Sequence, residues 1–342
     1  MTSVKEFRVA EEATSARLGR GAFVFTDDYS VFDWGKMPDE VPQKGRSLCA
    51  MGAANFEALE AEGISTHYRG VVTDDGDEPI PLADAEEPPR EMAIDLTQVP
   101  DLPHEGREYD YDAFHADAGR NYLIPLEIVF RNTVPVGSSL RSRSEPREHG
   151  LDVDSWPDES VDLSEAVIEF STKYEESDRY LTREEADDIA GEADIDALET
   201  IAREVNDLVT GNAARAGLVH EDGKIECCYS DSEILVADVV GTFDENRFSY
   251  DGQQLSKEVI RQYHKREQAA WVEAVSEAKE RAKKQDVADW RELCEHEPEP
   301  LPETVLETAS EMYRAGANAY LGRELFDAPP LSEAVEAVRD LG

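Results

Sequence analysis

The chain has 342 residues, of which 40% are hydrophobic, and carries 34 Lys and Arg against 77 Asp and Glu. This length suffices for one large or two ordinary domains with a buried core. The net charge of −43 is spread along the whole chain, which predicts a strongly hydrated globular surface, typical of a halophilic cytoplasm, rather than a disordered acidic tail. Nucleic acid is not an expected partner, because binding its phosphates requires a basic patch.

The N-terminus and the cysteines indicate a cytoplasmic protein. The first twelve residues contain no apolar signal region, and no stretch of 18 apolar residues occurs, so we predict neither export nor membrane insertion. Cys227 and Cys228 are adjacent and therefore point to opposite faces of a strand. With no CxxC spacing, neither a zinc site nor a disulfide framework is predicted.

The first 119 residues predict strands, one helix and a surface excursion. Residues 22–26 (AFVFT) form a short strand, and helical spacing over 48–63 ends at Gly63. Gly19 and Gly21 favour a hairpin turn over a phosphate-covering loop. Residues 71–119 are rich in Asp, Glu and Pro, so we expect surface loops there with at most one strand, AIDL.

The strongest predicted strand spans 122–132 (YLIPLEIVFRN), where apolar residues alternate with others. Glu127 and Arg131 are four residues apart and should share one face of it. The following turn, 134–139, offers amides and hydroxyls suited to a phosphate. Such a charged pair beside such a turn indicates a site.

Helices dominate the rest. A capping box begins one helix at Thr182, and a second helix spans 195–217. We expect a long helix after Ser256 that continues past Ala278, and a last helix from Pro302 to Gly322.

Residues 222–247 predict a charged β-hairpin, because KIECCY and ILVADVV flank the turn residues SDSE. Folding would bring Glu226 opposite or diagonal to Asp238. Mg²⁺ would relieve the repulsion between these carboxylates. Lys224 lies on the same face, and Arg247 follows the second strand. A solvated acidic hairpin is the alternative interpretation.

Several of these segments, in the same order, resemble the phosphoribosylaminoimidazole-succinocarboxamide (SAICAR) synthase family. IPLEIVFRNTVPVGS and DGKIE are similar to two family signatures, and TDDYSVFD, VPQKGR, STKYEESD and PLPETVLETASEMYRAGANAYLG resemble further segments. The resemblance implies a two-lobed α+β fold with ATP in the cleft. A mostly antiparallel N-terminal lobe (1–122) would include the acidic insertion 71–119, and a larger C-terminal lobe (123–342) would carry the hairpin and the terminal helices.

The implied activity is that of an ATP-dependent ligase of purine biosynthesis. ATP phosphorylates the carboxylate of carboxyaminoimidazole ribonucleotide, the amine of L-aspartate attacks the activated carbonyl, and phosphate leaves. The resemblance leaves a homo-oligomeric assembly open. The implied roles are Mg²⁺ ligands for Glu226 and Asp238; phosphate and catalytic contacts for Lys224; metal or substrate support for Glu127; ATP contact for Lys5; the 5′-phosphate for Arg131, Ser138 and Arg247; and other substrate contacts for Lys173, Asp178, Asp33 and Lys44.

Departures from the family pattern motivate two alternatives. TSVKEF keeps only Lys5 of the usual basic pattern, TFDENR replaces a Pro-Asp-Ser-Ser-Arg type of segment, and Arg179 and Tyr180 stand where the family tends to have His-Asp. A kinase-like phosphotransferase would release ADP without aspartate. A non-catalytic acidic interaction protein would not bind Mg·ATP.

Overall fold

The computed structural model describes residues 4–74, 76, 78–175, 178–285, 287 and 289–341. The strands are β1 (Lys5–Glu11), β2 (Gly19–Phe25), β3 (Tyr68–Val72), β4 (Glu91–Leu96), β5 (His104–Glu105), β6 (Glu108–Tyr109), β7 (Asn121–Leu123), β8 (Leu126–Val134), β9 (Val161–Thr172), β10 (Val219–Ser230), β11 (Glu233–Ala237), β12 (Asn246–Tyr250) and β13 (Gln253–Gln254). The helices are α1 (Lys44–Ala61), α2 (Tyr111–Ala118), α3 (Leu140–Arg143), α4 (Arg183–Ala190), α5 (Ile195–Arg215), α6 (Glu258–Glu267), α7 (Ala269–Gln285), α8 (Glu303–Leu321) and α9 (Leu331–Asp340).

The N-terminal sheet is antiparallel and four-stranded, in the order β1-β2-β4-β3. Its third strand, β4, contains the predicted AIDL segment, but the prediction that residues 71–119 are a surface excursion is wrong. Met92 and Ile94 of β4 and Phe114 of α2 are buried in the core. Apolar residues spaced between acidic ones therefore anchor this segment in the core. The acidic composition alone does not reveal this burial.

The second sheet has seven strands, with β10 at its centre. Strand β10 pairs with β8 and β12 along its first half and with β11 and β7 along its second half. The predicted hairpin is confirmed, with Asp231 and Ser232 at positive φ in a two-residue turn. Ala237, rather than Asp238, is the residue opposite Glu226, so the expected cross-strand pair of Glu226 and Asp238 is not formed. Asp238 instead follows the last residue of β11.

The predicted helices agree with the structure except in the segment after Ser256. The capping box at Thr182, helix α5 and the end of α8 at Gly322 are confirmed. The single long helix predicted after Ser256 is wrong, since α6 ends at Glu267 and α7 begins at Ala269. Gly19 and Gly21 lie within β2, so the predicted hairpin turn there is also wrong. Within the described ranges, no helix combines the length and apolarity needed to span a membrane.

Candidate active site

Three lysine–carboxylate pairs form what we call the lysine cluster. Lys5 at the start of β1 pairs with Asp238, Lys173 after β9 pairs with Glu226, and Lys224 on β10 pairs with Glu127. Lys224 also lies 3.7 Å from Glu245. The structure therefore brings together predicted site residues that come from four separate parts of the chain, as a shared binding site requires.

The backbone around Asp238 is specialised. Asp238 has φ 61°, in the left-handed region, which Asp adopts more readily than most residues. Nε2 of His67 lies 3.2 Å from the Asp238 carbonyl oxygen. Burial lowers the pKa of His67 to about 4, so this imidazole is neutral near pH 7 and donates to the carbonyl.

The charges of the lysine cluster are strongly coupled. Burial and the neighbouring Asp238 raise the pKa of Glu226 to about 7. Burial acts in the same direction on Asp238, but Lys5 outweighs it and keeps the pKa of Asp238 below its usual value. For Lys224, burial is outweighed by Glu245 and Glu127, which raise its pKa. Lys5 and Lys224 therefore stay charged, whereas Glu226 resists ionisation beside Asp238. This arrangement favours an added cation.

A second group of charges, the arginine row, lies toward the other half of β10. Its members alternate in sign: Arg247, Asp222, Arg131, Glu169 and Arg143. Arg247 Nε donates to Asp222 at 2.8 Å, and Arg131 Nε donates to Glu169 at 2.8 Å. The predicted phosphate residues Arg131 and Arg247 are thus joined through Asp222. Ser138 lies in the turn after β8, where its Oγ is 3.4 Å from the amide of Leu140.

A cleft of about 310 Å³ opens beside Asp222, Lys224 and Arg247. Residues around the start of α6, among them Lys257 and Arg261, also line it. Members of the lysine cluster and of the arginine row therefore line the same cleft, together with these two further cations.

The remaining predicted residues occupy three different settings. Asp33 is exposed and pairs with Lys279 of α7. Burial and Glu127 raise the pKa of Asp178, which places this carboxylate beside the lysine cluster. Lys44 has no exposed surface, and its ammonium contacts Asp244 at 2.6 Å and donates to the Asp28 carbonyl at 3.1 Å. Lys44 thus supports Asp244, which lines the cleft, and does not itself face the opening.

Sequence reasoning missed several charged residues of the site. Asp222 is part of the DGKIE motif, so its period-two spacing with Lys224 was a usable signal. Glu169 is positioned by the pairing of β9 with β8, where it lies opposite Val129. Glu245 is positioned by the loop before β12. These two depend on strand pairing, for which the sequence carried no pattern.

The buried carboxylates fit a magnesium ion. In the part of the chain that the structure describes, no group of three or more His, Cys, Asp and Glu side chains could hold a metal ion. Mg²⁺ is commonly held by one or two carboxylates together with substrate phosphates, and Glu226 and Asp238 meet that smaller requirement. The pKa of Glu226 is raised by burial and by Asp238, and a divalent cation beside this carboxyl group would lower it again.

Two neighbouring groups of cations, one of which includes the carboxylates Glu226 and Asp238, are an arrangement that suits phosphorylated ligands. Comparison with known proteins makes the class specific. A sequence profile of SAICAR synthetase matches residues 15–278. A putative phosphoribosylaminoimidazole-succinocarboxamide synthase of Archaeoglobus fulgidus is 39% identical over 349 residues, covering 100% of this chain and 99% of the relative.

Solved structures agree in fold. The SAICAR synthase of Saccharomyces cerevisiae, in complex with SAICAR, superposes with a TM-score of 0.62 at 18% identity, over 95% of this chain and 94% of the yeast chain. A type-2 SAICAR synthetase in complex with ADP gives 0.53 at 21% identity, over 88% and 99%. The chain belongs to the SAICAR synthetase family and is a ligase of purine biosynthesis that depends on ATP. The predicted family and the α+β fold class are confirmed.

Proposed function

We propose that this ligase condenses carboxyaminoimidazole ribonucleotide with L-aspartate, at the expense of ATP, to give SAICAR, ADP and phosphate. The observation that carries the proposal is the placement of Asp222, Lys224 and Glu226 on one strand, β10, between the arginine row and the lysine cluster. One strand would thereby serve two separate sites for phosphate groups, as a nucleotide and a ribonucleotide together require.

The lysine cluster would bind the nucleotide. Lys5 and Lys224 are charged and lie beside carboxylates, so they can transfer hydrogen bonds from those carboxylates to phosphate oxygens without a change of protonation. Glu226 and Asp238 would hold Mg²⁺, with Glu127 as support. Bound there, the ion would neutralise phosphate charge during transfer.

The arginine row would bind the 5′-phosphate of the ribonucleotide. Arg131 and Arg247 present planar guanidinium groups, which match phosphate oxygens in pairs of hydrogen bonds. Ser138, in the adjoining turn, would add a hydroxyl. Held at this end, the ribonucleotide would place its imidazole carboxylate toward Lys224 and the nucleotide.

L-Aspartate would bind between these sites, where Lys173 and Asp178 offer charges of both signs for its carboxylates and its amine. The substrate carboxylate attacks the terminal phosphorus of ATP and ADP leaves. The amine of aspartate then adds to the acyl phosphate carbon, loses a proton, and expels inorganic phosphate as the amide forms. Asp33, in the loop before α1, would contact substrate only by giving up its pair with Lys279, and Lys44 would act through Asp244.

The test is ADP release in molar KCl with Mg·ATP and the ribonucleotide, measured with and without L-aspartate. We expect release to require all three substrates and to produce SAICAR in equal amount. Omission of the ribonucleotide is the matched control. Release that does not depend on aspartate would replace the proposal with a kinase-like phosphotransferase, and no release under any condition would indicate the non-catalytic alternative.

A further inference from the structure

The arginine row contains a member to which the proposed function gives no role. Arg143 is the last residue of α3, the short helix that follows the turn bearing Ser138. Its guanidinium donates to Glu169, and Nη2 lies 3.4 Å from Oγ of Ser139. The side chain is 30% exposed. Arg143 therefore reaches the turn and the row at once and remains open to solvent.

Tyr180 contacts two of the three arginines. The guanidinium carbon of Arg143 lies 3.5 Å from the centre of the Tyr180 ring, and the Tyr180 hydroxyl accepts a hydrogen bond from Nη2 of Arg131 at 2.8 Å. Stacking uses the flat face of a guanidinium and leaves its N–H edge available. One phenol side chain thus fixes the orientation of two arginines.

The backbone holds Tyr180 in place. Tyr180 pairs with Ser171 of β9 in an antiparallel bridge. On either side, the amide of Thr172 donates to the carbonyl of Arg179 at 3.0 Å and that of Leu181 to the carbonyl of Phe170 at 2.9 Å. The ring therefore has a position set by the second sheet rather than by a free loop.

The charge of the row favours an anion. Three arginines and two carboxylates give a net charge of +1 (3 − 2), in a chain whose net charge is −43. Burial acts to raise the pKa of Glu169, but hydrogen bonds from Arg143 and Arg131 lower it below its usual value. The carboxylates separate the arginines from one another, while the surplus positive charge attracts a phosphate.

We propose that Arg143 is a third phosphate-binding residue for the ribonucleotide, and that Tyr180 is a positioning residue that orients Arg143 and Arg131 toward that phosphate. This inference rests on the proposed function for the identity of the ligand and extends it to two residues. The fork of Arg143, the fork of Arg131 and the hydroxyls of the 138–139 turn would then surround one phosphate group.

The first test compares Arg143→Gln with Arg147→Gln. Arg147 lies in the same segment, is 64% exposed and pairs with Asp154, so its variant makes the same change of charge away from the row. We expect Arg143→Gln to raise KM for the ribonucleotide by about 10- to 100-fold, the loss of a charge-assisted hydrogen bond. KM for ATP, and kcat/KM for the 5′-dephosphorylated nucleoside, should stay unchanged. Equal effects on ribonucleotide and nucleoside, or equal behaviour of the two variants, would overturn the proposal.

The second test separates the two parts of Tyr180. Tyr180→Phe keeps the ring and removes the hydroxyl bond to Arg131, so a loss of about threefold to tenfold in ribonucleotide affinity is expected. Tyr180→Leu removes both the ring and the hydroxyl. Its loss of ribonucleotide affinity should approach that of Arg143→Gln. A purely structural role would lower the melting temperature and leave the ratio of ribonucleotide to nucleoside activity unmoved, which would contradict the positioning role.

A binding experiment distinguishes failure of this inference from failure of the proposed function. Calorimetric titration with ribose 5-phosphate, with ribose as the control, needs no turnover. A wild-type protein without aspartate-dependent ADP release would refute the ligase proposal, yet weaker ribose 5-phosphate binding by Arg143→Gln would still support the phosphate site. Should the Gln variant not fold, Arg143→Lys keeps the charge but loses the fork and is expected to bind about tenfold more weakly. Wild-type affinity in Arg143→Lys and Tyr180→Leu together would overturn the inference.

Discussion

Each acidic residue at the centre of the lysine cluster is placed differently, although all are carboxylates on or beside β10. Glu226 projects from the strand itself, whereas Asp238 follows β11 with a left-handed backbone. The pKa of Glu226 is raised and that of Asp238 is lowered, because Lys5 compensates only Asp238 fully. Asp238 is therefore the permanent negative charge of the pair.

Asp238→Asn should lower kcat/KM by at least about 100-fold, because it removes that charge from the proposed metal site. The fold should persist, since Asn also adopts positive φ and Glu245 and Glu226 still act on Lys5. Steady-state kinetics and a thermal melt test both halves of this expectation. The control is Asp231→Asn, the same change in the exposed turn of the same hairpin. Full activity of Asp238→Asn would refute the metal assignment.

Lys44→Met should destabilise the protein by about 3 kcal/mol, because it leaves Asp244 charged and buried without its main partner. Burial acts to raise the pKa of Asp244, but Lys44 and Lys257 hold it below the usual value. The stabilisation is thus present above the unfolded pKa of about 3.9 and is lost as pH falls through the folded value, so the difference should shrink in acid. Denaturant melts measure it.

Lys284→Met is the matched control for that experiment. Lys284 pairs with Glu280 on the surface of α7, and both side chains are largely exposed. Its replacement should change the unfolding free energy by about 0–1 kcal/mol. Comparable losses from both substitutions would show that Lys44 contributes no more than a surface charge.

Among the secondary-structure elements, sequence patterns predicted those whose information is local. The hairpin turn, the capping box at Thr182 and the phase of α5 follow from spacings of a few residues. The break between α6 and α7 lies at Gln268, whose side chain hydrogen-bonds the backbone of Glu299, and the burial of β4 follows from its pairing with β2. The candidate site divides in the same way. Residues on β10 could be predicted from alternation, whereas Glu169 required the register between β8 and β9.

The start of α1 packs closely against the end of β2. A Cβ atom on Gly45 would lie 2.7 Å from the carbonyl oxygens of Phe25 and Thr26, which are backbone atoms and cannot rotate away. We expect Gly45→Ala to cost about 1–3 kcal/mol by overpacking. In contrast, Gly211→Ala in α5 meets only the far end of Arg215 at 3.8 Å and should stabilise by about 0.5–1 kcal/mol. Denaturant melts that show the same sign for both would contradict the packing argument.

The meeting of β1, β10 and the segment after β9 would couple metal binding to nucleotide binding under the proposed assignment. Lys5 and Lys173 pair with the same carboxylates that would hold Mg²⁺. A cation that takes over Asp238 and Glu226 releases these lysines to bind phosphates, so each ligand should strengthen the other. We expect Mg²⁺ to increase ADP affinity at least about tenfold in calorimetry. The reference is protein that has been freed of divalent cations by EDTA. Glu226→Gln should reduce the gain in ADP affinity that Mg²⁺ produces. Independent binding of the two ligands would contradict this coupling.

For the molecule as a whole, the excess of acid sets the conditions under which it folds. A net charge of −43 repels itself at low ionic strength, and the Debye length falls from about 10 Å at 0.1 M salt to about 3 Å at 1 M. We therefore expect the melting temperature to rise continuously between low and molar KCl. Sucrose, which favours burial without screening charge, is the control. A cooperative transition that KCl leaves unchanged, or that sucrose shifts equally, would refute charge screening as the cause.

The central strand also fixes the distance between the two proposed phosphate sites. Asp222 and Glu226 are four residues apart on β10, so their Cα atoms are separated by about 13 Å of extended chain. Hydrogen bonds to β8, β12 and β11 prevent that length from changing. Movement of the N-terminal sheet could bring Lys5 toward or away from a nucleotide, but it would leave the separation of the two phosphate sites untouched. Under the proposed assignment, the alignment of phosphoryl acceptor and phosphoryl donor would thus be a property of one covalent segment, insensitive to how far the protein opens.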